Sequence, residues 1–379
     1  MRLLVVNGAY LPAQKYGGPV VSLVNFVENL GDDYDIDIVC KNHDLHENQP
    51  FQNIREGFQP VGKAQVCYLP DAELNKMTFR RILEERKPDC LYLSSIFSAK
   101  MNVPLLSLAR KLQIPVVYAP RGELNPAVLQ MKSWKKRLFL SAMRRSGLYR
   151  NVVFQASSSA ERETIIKALK VEPANVLVAP NLPSAPKAAE RQPKKQGKLR
   201  IVFLARIHRS KNLAYAIERV LALQGSVSFD IYGPVEHKDY WQECCRLMQH
   251  APKNIQFNYC GLAPVGSAGE IFGKYDCFLF PTLSENYGQV IAEAVQAGTL
   301  PVISKGTTPW DDLQGGEVIP LSEPERFSSA LQELCDMDEQ TYEARRARLL
   351  QYAEKKINKQ ELIACTKTLF QTALGGKTL

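Results

Sequence analysis

The sequence predicts an α/β protein built from two parallel-sheet domains, and three observations support this. The chain has 379 residues, enough for two or three domains at roughly 100 to 200 residues each. Short β-rich runs alternate with amphipathic helical patterns, which indicates β-α-β units and parallel strands. The alternation stops at residues 183–198, a segment rich in Pro, Ala, Lys, Arg and Gln, and then starts again. This composition is typical of a linker between domains.

The elements follow in order along the chain. The first domain, residues 1–182, and the second, residues 199–355, are each expected to be Rossmann-like, and a C-terminal helix, residues 356–379, is expected to pack back on the first. Since ligands bind at the carboxyl ends of parallel strands, we expect the two domains to face each other across a cleft. Strands are predicted at 3–6, 36–40, 66–69, 90–93, 116–118, 152–156, 176–179, 201–205, 229–232, 255–259, 277–280 and 302–304, and helices at 19–30, 79–86, 103–112, 212–223, 240–250, 288–297 and over most of 338–374.

Composition excludes several classes of protein. Hydrophobic residues make up 45% and charged residues 23%, as in soluble globular proteins. No run approaches the ~20 apolar residues of a membrane span, and the apolar start is too short for a signal peptide, so a cytoplasmic location is expected. The nine cysteines form no C-x-x-C pair and are expected to be free thiols. The net charge of +9 suits an anionic partner such as a phosphorylated substrate, an acidic membrane or a nucleic acid.

The segment 280–298 carries the densest set of candidate binding residues. A buried strand leads into a polar loop with Glu285 and Asn286 and then into a helix on which Glu293 lies, eight residues after Glu285. Backbone N–H groups at Tyr287, Gly288 and Gln289 would point toward an anion, and the two carboxylates could bind hydroxyl groups beside it. The alternative is an acid-capped helix on which Glu293 is solvated.

A basic cluster follows the first strand of the second domain. Arg206 and Lys211, five residues apart across a tight loop, can converge on one pyrophosphate and stabilise a departing nucleoside diphosphate without a metal. An exposed basic loop is the alternative for this cluster taken alone.

Together these segments resemble glycosyltransferase family 4, whose members are retaining enzymes with a GT-B fold that use nucleotide sugars. Arg206, Lys211, Glu285 and Glu293 match the family's Arg, Lys and Glu-x7-Glu positions, and the likeness covers most of residues 199–320. Further likenesses, including those to bacterial surface-polysaccharide enzymes, are Gly233 after a strand, the pair Gly17 and Gly18 before the first helix, the Pro120-Arg121-Gly122 turn, and residues 306–310. The resemblance implies that Gly233, Gly17 and Gly18 bind the donor.

The resemblance implies a chemistry for these residues. Arg206 and Lys211 would stabilise the leaving phosphate, Glu285 would hold the donor sugar and Glu293 the ribose. The donor would be a UDP- or GDP-sugar, the acceptor a saccharide that is lipid-linked, and no cofactor or metal is expected. Arg121 stands where many members have a histidine that contacts the donor sugar; it replaces that contact, binds an acceptor phosphate, or belongs to a conformationally fixed turn.

The segment 131–150 is basic and has no acidic residue. Helical spacing places Met131, Trp134, Leu138 and Ala142 on one apolar face, which predicts a helix able to lie on the anionic cytoplasmic face of an inner membrane. The alternative is a helix packed on its own domain with a solvated basic face. Its acceptor or membrane candidates are Lys132, Lys135, Lys136 and Arg137.

Some features of the sequence suggest other functions. Two D-x-D patterns, at 35–37 and 336–338, resemble metal motifs of another transferase fold but are expected to be chance. A sugar-nucleotide epimerase on the same fold and a basic membrane-surface or nucleic-acid binder are the alternative functions. The sequence has no RNP-type aromatic motif and no paired metal-ligand cysteines, which argues against nucleic acid.

Overall fold

The computed structural model describes residues 1–130, 133–184 and 191–375. The chain forms two compact units. The first contains Met1–Leu182 together with the segment that begins at Lys359, and the second is Pro183–Asn358. The first unit is therefore discontinuous in sequence.

In the first unit, eight strands of the described residues form one sheet in the order β3-β4-β2-β1-β5-β6-β7-β8. All neighbouring pairs are parallel except β3 and β4, an antiparallel hairpin at the edge. Strand β3 was not predicted, because it is short and half-exposed and so has no clear apolar pattern. The strands are β1 Arg2–Val6, β2 Asp35–Lys41, β3 Phe58–Val61, β4 Ala64–Leu69, β5 Cys90–Ser94, β6 Val116–Ala119, β7 Val152–Ala156 and β8 Val176–Val178.

Helices pack on this sheet through leucine, isoleucine and phenylalanine side chains. Two helices begin at side-chain caps: the Asn75 carboxamide accepts from two backbone N–H groups of α2, and the Ser158 hydroxyl accepts from Glu161 N–H in α6. The helices are α1 Gly18–Leu30, α2 Lys76–Arg86, α3 Ala99–Leu112, α4 Pro126–Gln130, α5 Ser133–Ser146 and α6 Ser159–Leu169.

The second unit is a six-stranded parallel sheet in the order β11-β10-β9-β12-β13-β14. This order is that of a doubly wound sheet, in which the strand order reverses between β9 and β12. Its strands are β9 Lys198–Leu204, β10 Ser226–Tyr232, β11 Ile255–Gly261, β12 Cys277–Phe280, β13 Leu300–Ser304 and β14 Glu317–Ile319, the last of which was not predicted. Its helices are α7 Leu213–Val220, α8 Lys238–Met248, α9 Ala268–Phe272, α10 Gln289–Ala297, α11 Pro324–Asp336 and α12 Glu339–Lys356.

Part of the predicted linker, residues 183–198, is anchored by a buried side chain. Lys194 is 3% exposed, and its ammonium donates to four backbone carbonyls, those of Lys195, Lys198, Cys335 and Met337. The segment 191–197 is thereby attached to the second unit, whereas the predicted second domain began at residue 199.

The C-terminal segment, predicted as helical over 338–374, is interrupted. α12 ends at Lys356 and a separate helix, α13 Lys359–Ala373, belongs to the first unit. The Phe370 ring packs against Phe26, Tyr34 and Tyr92 at centroid distances of 6.0, 6.0 and 5.7 Å.

Three other expectations concern the whole chain. The D-x-D residues have structural contacts, because Asp37 accepts from Arg86 and Asp338 caps α12. All nine cysteines are free, and Cys260 and Cys365 are the exposed ones. Among the described helices, each is too short or too polar to cross a bilayer.

Candidate functional site

The candidate donor site lies in the second unit, where the carboxyl ends of β9 and β12 are neighbours. In a doubly wound sheet this reversal point is where loops diverge and leave room for a ligand. The loop after β9 carries Arg206 and Lys211, and the loop after β12 carries Glu285. The two loops are joined, since Leu283 N–H donates to Ser210 O at 2.8 Å and the Thr282 hydroxyl donates to the same oxygen at 3.1 Å.

Arg206 is held by a carboxylate from the loop after β10. Its Nη1 donates to Glu236 Oε2 at 2.7 Å, and the guanidinium stays partly exposed. Gly233 makes this arrangement possible, because a Cβ there would lie 1.8 Å from Ala205 O. Gly233 therefore permits the close approach of two loops, and its binding of the donor stays a prediction.

Lys211 forms an ion pair with Glu285, and both side chains are largely buried. The pair joins residues 74 positions apart in the chain. The Lys211 ammonium also lies 5.8 Å from the centroid of the Phe280 ring. The structure thus brings together the cation and the carboxylate that the sequence assigned to the leaving phosphate and the donor sugar.

The N-terminus of α10 supplies further positive potential. The backbone N–H groups of Tyr287, Gly288 and Gln289 have no acceptor within the described part of the chain. Gly288 has φ 76°, and Trp310 Nε1 donates to Tyr287 O at 2.6 Å, so the loop is fixed. Free N–H groups and the helix dipole favour an anion at this position. Asn286 lies in the same loop, one residue before Tyr287.

Glu293 is buried, with 8% of its surface exposed, which is contrary to the alternative that it is solvated. Its Oε1 accepts from the Ser184 hydroxyl at 3.0 Å. Burial raises the pKa of Glu293 to about 7, and the hydrogen bond from Ser184 lowers it only in part. At neutral pH this carboxyl can therefore either donate or accept a hydrogen bond.

Gln289 was missed by the analysis of the sequence. Its amide lies near Glu293, one helical turn away, yet neither of its polar atoms makes a hydrogen bond of normal geometry. A buried amide whose hydrogen-bonding capacity is largely unused is uncommon in folded proteins. The signal available in the sequence was its position, four residues before Glu293.

A histidine cluster borders Arg206 and was also missed. Ligand atoms of His208, His237 and Glu236 lie within 4.8 Å of one another, and the two imidazole rings are 4.4 Å apart. These three residues could hold a metal ion, but His208 Nδ1 accepts from Ser210 N–H and Glu236 is paired with Arg206. Burial lowers the pKa of His208, which favours the neutral ring.

The first unit holds the predicted acceptor residues. Arg121 has φ 56°, and its guanidinium donates to Tyr92 Oη at 2.7 Å, Ser22 Oγ at 3.1 Å and Asn181. Each of these partners is neutral, and in the described residues no carboxylate pairs with Arg121. The turn is further held by Gly122 N–H, which donates to Glu161 at 2.7 Å. Arg121 thus connects three parts of its unit while keeping its charge unneutralised.

The two glycines before α1 differ in what they require. Gly17 has φ 63°, a conformation that favours glycine, and its carbonyl accepts from Val20 N–H at the helix start. Gly18 is the first residue of α1, and a Cβ there would meet nothing within 4 Å. The loop before them is held by Asp44, whose carboxylate accepts from Gln14 N–H at 2.8 Å.

Helix α5 differs from the single apolar face that was predicted. Leu140 and Met143 are buried, whereas Trp134 and Leu138 are 66% and 64% exposed. Helix α5 therefore has one apolar side toward the core and a second toward solvent. Of the predicted cations, Lys135 lies over the Trp134 ring, Lys136 donates to Val128 O at 2.6 Å, Arg137 is exposed, and Lys132 lies outside the described residues.

Two family models match consecutive parts of the chain. Residues 17–182 match the family described as "Glycosyl transferase 4-like domain", and residues 184–356 match "Glycosyl transferases group 1". No curated protein sequence matches the chain.

Three solved structures with similar folds are each matched over nearly their whole length. HepE from Anabaena, solved with UDP and glucose, has a TM-score of 0.70 at 14% identity, covering 98% of this chain and 99% of that one. Sucrose-phosphate synthase from Thermosynechococcus elongatus has a TM-score of 0.74 at 13% identity, covering 98% and 100%. An E. coli protein described as trehalose-6-phosphate, bound with UDP-2-fluoro glucose, has a TM-score of 0.68 at 14% identity, covering 98% and 99%.

Proposed function

We propose that this chain, which belongs to the family 4 type of glycosyltransferases and has the GT-B fold, transfers a sugar from a UDP- or GDP-sugar to a saccharide with retention of anomeric configuration. The observation that carries the proposal is the Lys211–Glu285 ion pair, which joins the loop after β9, where Arg206 also lies, to the loop that leads into the free N–H groups at the start of α10. UDP is favoured as the donor nucleotide because HepE was solved with it.

The geometry suggests how the donor is bound and activated. A diphosphate placed at the N-terminus of α10 would accept from the free N–H groups and attract Lys211 and Arg206. Once the diphosphate has drawn these cations from their carboxylate partners, they stabilise the charge that develops on the departing nucleoside diphosphate. The positive charge comes from the protein, so we propose that transfer needs neither a metal nor a cofactor.

The two glutamates would then bind hydroxyl groups. When the diphosphate attracts Lys211, the Glu285 carboxylate becomes available to accept from hydroxyls of the donor sugar. Glu293, buried on α10, would bind the ribose. The acceptor hydroxyl would attack the face from which the diphosphate leaves, and its proton would pass to a phosphate oxygen of the leaving group, which keeps the configuration.

The acceptor side of the proposal rests on the first unit. We propose a lipid-linked saccharide as acceptor, in the synthesis of a bacterial surface polysaccharide such as O-antigen, capsule or exopolysaccharide. The exposed Trp134 and Leu138 on a helix rich in Lys and Arg support contact with the anionic cytoplasmic face of the inner membrane. The net charge of +9 favours the same surface.

A thermal-shift panel with UDP, GDP, ADP, CMP and a short oligonucleotide tests the donor site. A ligand at 100 times its Kd adds about 2.7 kcal/mol, which raises Tm by roughly 2 to 4 °C for each kcal/mol in a unit of this size. We expect UDP or GDP to raise Tm and Lys211→Ala to remove the effect. A response to the oligonucleotide alone would overturn the proposal.

Product analysis then tests the reaction. With donor and acceptor present, NMR of the new glycosidic bond should show the donor's anomeric configuration. Conversion of the nucleotide sugar to its epimer in the absence of acceptor would instead identify an epimerase.

A further inference from the structure

A groove of about 560 Å³ lies on the first unit among helices α4, α5 and α6, and we call it the α4–α6 groove. Its volume falls within the roughly 300 to 1,000 Å³ of pockets that bind small ligands. It is lined by Leu124, Pro126, Leu129, Lys136, Arg137, Leu140, Glu163, Thr164, Lys167 and Ala168.

The floor of the groove is apolar. Leu124 and Leu140 are buried members of the core of the unit, and Leu129 packs against that core. Pro126 and Ala168 continue the apolar lining toward the surface. Such a floor has nothing to hydrogen-bond a sugar or a nucleotide, whereas a hydrocarbon chain is favoured there by removal of its surface from water.

The rim of the groove is cationic. Three cations, Lys136, Arg137 and Lys167, line it together with one carboxylate, that of Glu163. Lys136 is held in place, since its ammonium donates to Val128 O at 2.6 Å and lies 5.2 Å from the Phe97 ring centroid. An apolar floor with an excess of positive charge at its rim complements a hydrocarbon chain that ends in an anionic group.

The groove begins next to the turn that carries Arg121. Leu124 follows Arg121 by three residues, after the carboxyl end of β6. The first turn of α6 is attached to the same turn, because Glu161 accepts from Gly122 N–H at 2.7 Å. The groove residues Thr164 and Ala168 then follow along α6. The groove therefore runs from the sheet edge with the predicted acceptor residues along one helix.

Helix α5 separates the groove from the exposed apolar side chains. At ~100° per residue, Lys136 and Leu140 lie on one side of α5, and Trp134 and Leu138 lie on another. The exposed pair faces solvent, while Leu140 lines the groove. A helix resting on a membrane through Trp134 and Leu138 would therefore have Lys136 and Leu140 on its opposite side, away from the bilayer, with Arg137 at the edge between the two sides.

We propose that the α4–α6 groove binds the hydrocarbon chain of the acceptor itself, a saccharide linked through phosphate to a long-chain lipid. The chain lies on Leu124, Leu129 and Leu140, and the phosphate contacts the cationic rim. The saccharide then lies toward the Arg121 turn. The identification of this lipid as the acceptor rests on the proposed function. The binding of a single lipid phosphate in the groove does not depend on that function.

Binding of a polyprenyl phosphate in detergent micelles, measured by fluorescence anisotropy of a labelled analogue, tests the groove. Ala168→Trp and Thr164→Trp each fill it from the exposed side of α6, and we expect Kd to rise at least about tenfold. Lys167→Glu should also weaken binding, whereas Lys111→Glu, an equal charge change at an exposed site on α3, should not. Unchanged binding in both Trp variants would overturn the proposal.

Vesicles of phosphatidylglycerol distinguish the acceptor from the bulk membrane. We expect Ala168→Trp to leave vesicle binding intact, because that binding is assigned to Trp134 and Leu138. Equal loss of vesicle and polyprenyl phosphate binding in this variant would mean general membrane adsorption and would overturn the assignment to the acceptor.

The donor site gives an independent control. In Ala168→Trp the shift in Tm with UDP should match that of the wild type. If the wild-type protein binds polyprenyl phosphate in the groove but transfers no sugar to its saccharide-linked form, the proposed function fails while the groove assignment stands.

Discussion

At the scale of single residues, the candidate donor site is defined by cations that already have carboxylate partners. Arg206 is paired with Glu236, and Lys211 with Glu285. These pairs keep the side chains positioned, and a diphosphate must compete with them for the positive charge.

Lys211→Ala and Glu285→Ala should each lower turnover at least about tenfold. In other enzymes, removing one group that stabilises transition-state charge lowers the rate by roughly 10² to 10³-fold. Circular dichroism should show that both variants remain folded. Lys274→Ala, at an exposed position of the same unit, is the matched control. Wild-type turnover in both site variants would refute the assignment.

The double variant examines the pair itself. Because Lys211 and Glu285 contact each other, the effects of their removal should not add, and the double variant should be less impaired than the product of the two single effects.

Glu293 makes stability depend on pH in a defined direction. Its pKa rises from an ordinary value of 4.5 to about 7 on folding because the side chain is buried. Between these values the folded state holds a proton that the unfolded state has lost, so the free energy of unfolding falls as pH rises. The stabilisation that the protonated Glu293 carboxyl contributes is fully present below pH 4.5 and is lost above pH 7.

Urea unfolding at pH 5 and pH 8 measures this effect. From pH 5 to pH 8 the free energy of unfolding of the wild type should fall by up to about 3 kcal/mol relative to that of Glu293→Gln, which cannot titrate at this position. Glu333→Gln, at an exposed position on α11, should keep the wild-type pH dependence. A parallel pH profile for wild type and Glu293→Gln would show that the buried carboxyl does not titrate in this range.

At the scale of secondary-structure elements, buried polar contacts decide which segments belong together. Lys194 joins the start of β9 to the end of α11 through carbonyls of Lys198 and Cys335. Carbonyl groups at a helix C-terminus lack partners within the helix, and a cation is favoured there. Burial lowers the pKa of Lys194, so these hydrogen bonds are what keep the ammonium in place.

Lys194→Ala should therefore destabilise the second unit by about 2 to 4 kcal/mol, because several buried carbonyls lose their donor. The measurement is urea unfolding followed by the fluorescence of Trp310, which is buried in that unit. Lys195→Ala, the exposed neighbour, should change stability by less than about 0.5 kcal/mol. Equal effects of the two substitutions would contradict the role given to Lys194.

Helix α5 offers a test of membrane contact that leaves the fold intact. Trp134→Ser combined with Leu138→Ser removes apolar surface that is already exposed, so unfolding should be unaffected. Binding to phosphatidylglycerol vesicles should weaken at least about tenfold, since burying one such side chain contributes roughly 1.5 to 3 kcal/mol.

Met77→Ser on α2 removes an equally exposed apolar side chain and should bind vesicles as the wild type does. Retained binding in the double variant, with lost binding after Lys135→Ser and Arg145→Ser, would mean that charge alone attaches the protein.

At the scale of the whole molecule, the chain leaves the first unit at residue 182 and returns to it at residue 359. The returning helix α13 completes the core of the first unit through Leu369 and Phe370. The first unit therefore cannot be completed by the N-terminal part of the chain alone, whereas the second unit is continuous.

Phe370→Ala should lower the stability of the first unit by about 3 to 5 kcal/mol, as expected for a large aromatic side chain removed from a core. The second unit should be unaffected, so the unfolding transition reported by Trp310 should keep its midpoint. The transition of the first unit, followed by far-UV circular dichroism, should move to a lower urea concentration. Gln371→Ala, exposed on the same helix, is the control. A shift of both transitions together would show that the two units unfold as one.

Much of the fold could be predicted because its signals are local. Alternating strand and helix patterns are read within about 10 to 20 residues, and the glycines that end helices or precede them lie beside those patterns. The loops with Arg206, Lys211 and Glu285 were found in the same way, since each directly follows an apolar strand. The strands that were missed, β3 and β14, are short and have mixed exposure, so they leave no such pattern.

The sequence by itself determined the α/β class, the family, and which loops carry the charged residues of the candidate site. Only the tertiary structure decided that Lys211 pairs with Glu285, that Glu293 and Lys194 are buried, and that α5 turns one of its two apolar sides to solvent. The physical reason is that a side chain's burial and partners depend on segments far away in the chain. Periodicity shows that a helix has an apolar side, but what covers that side is settled by the elements packed against it.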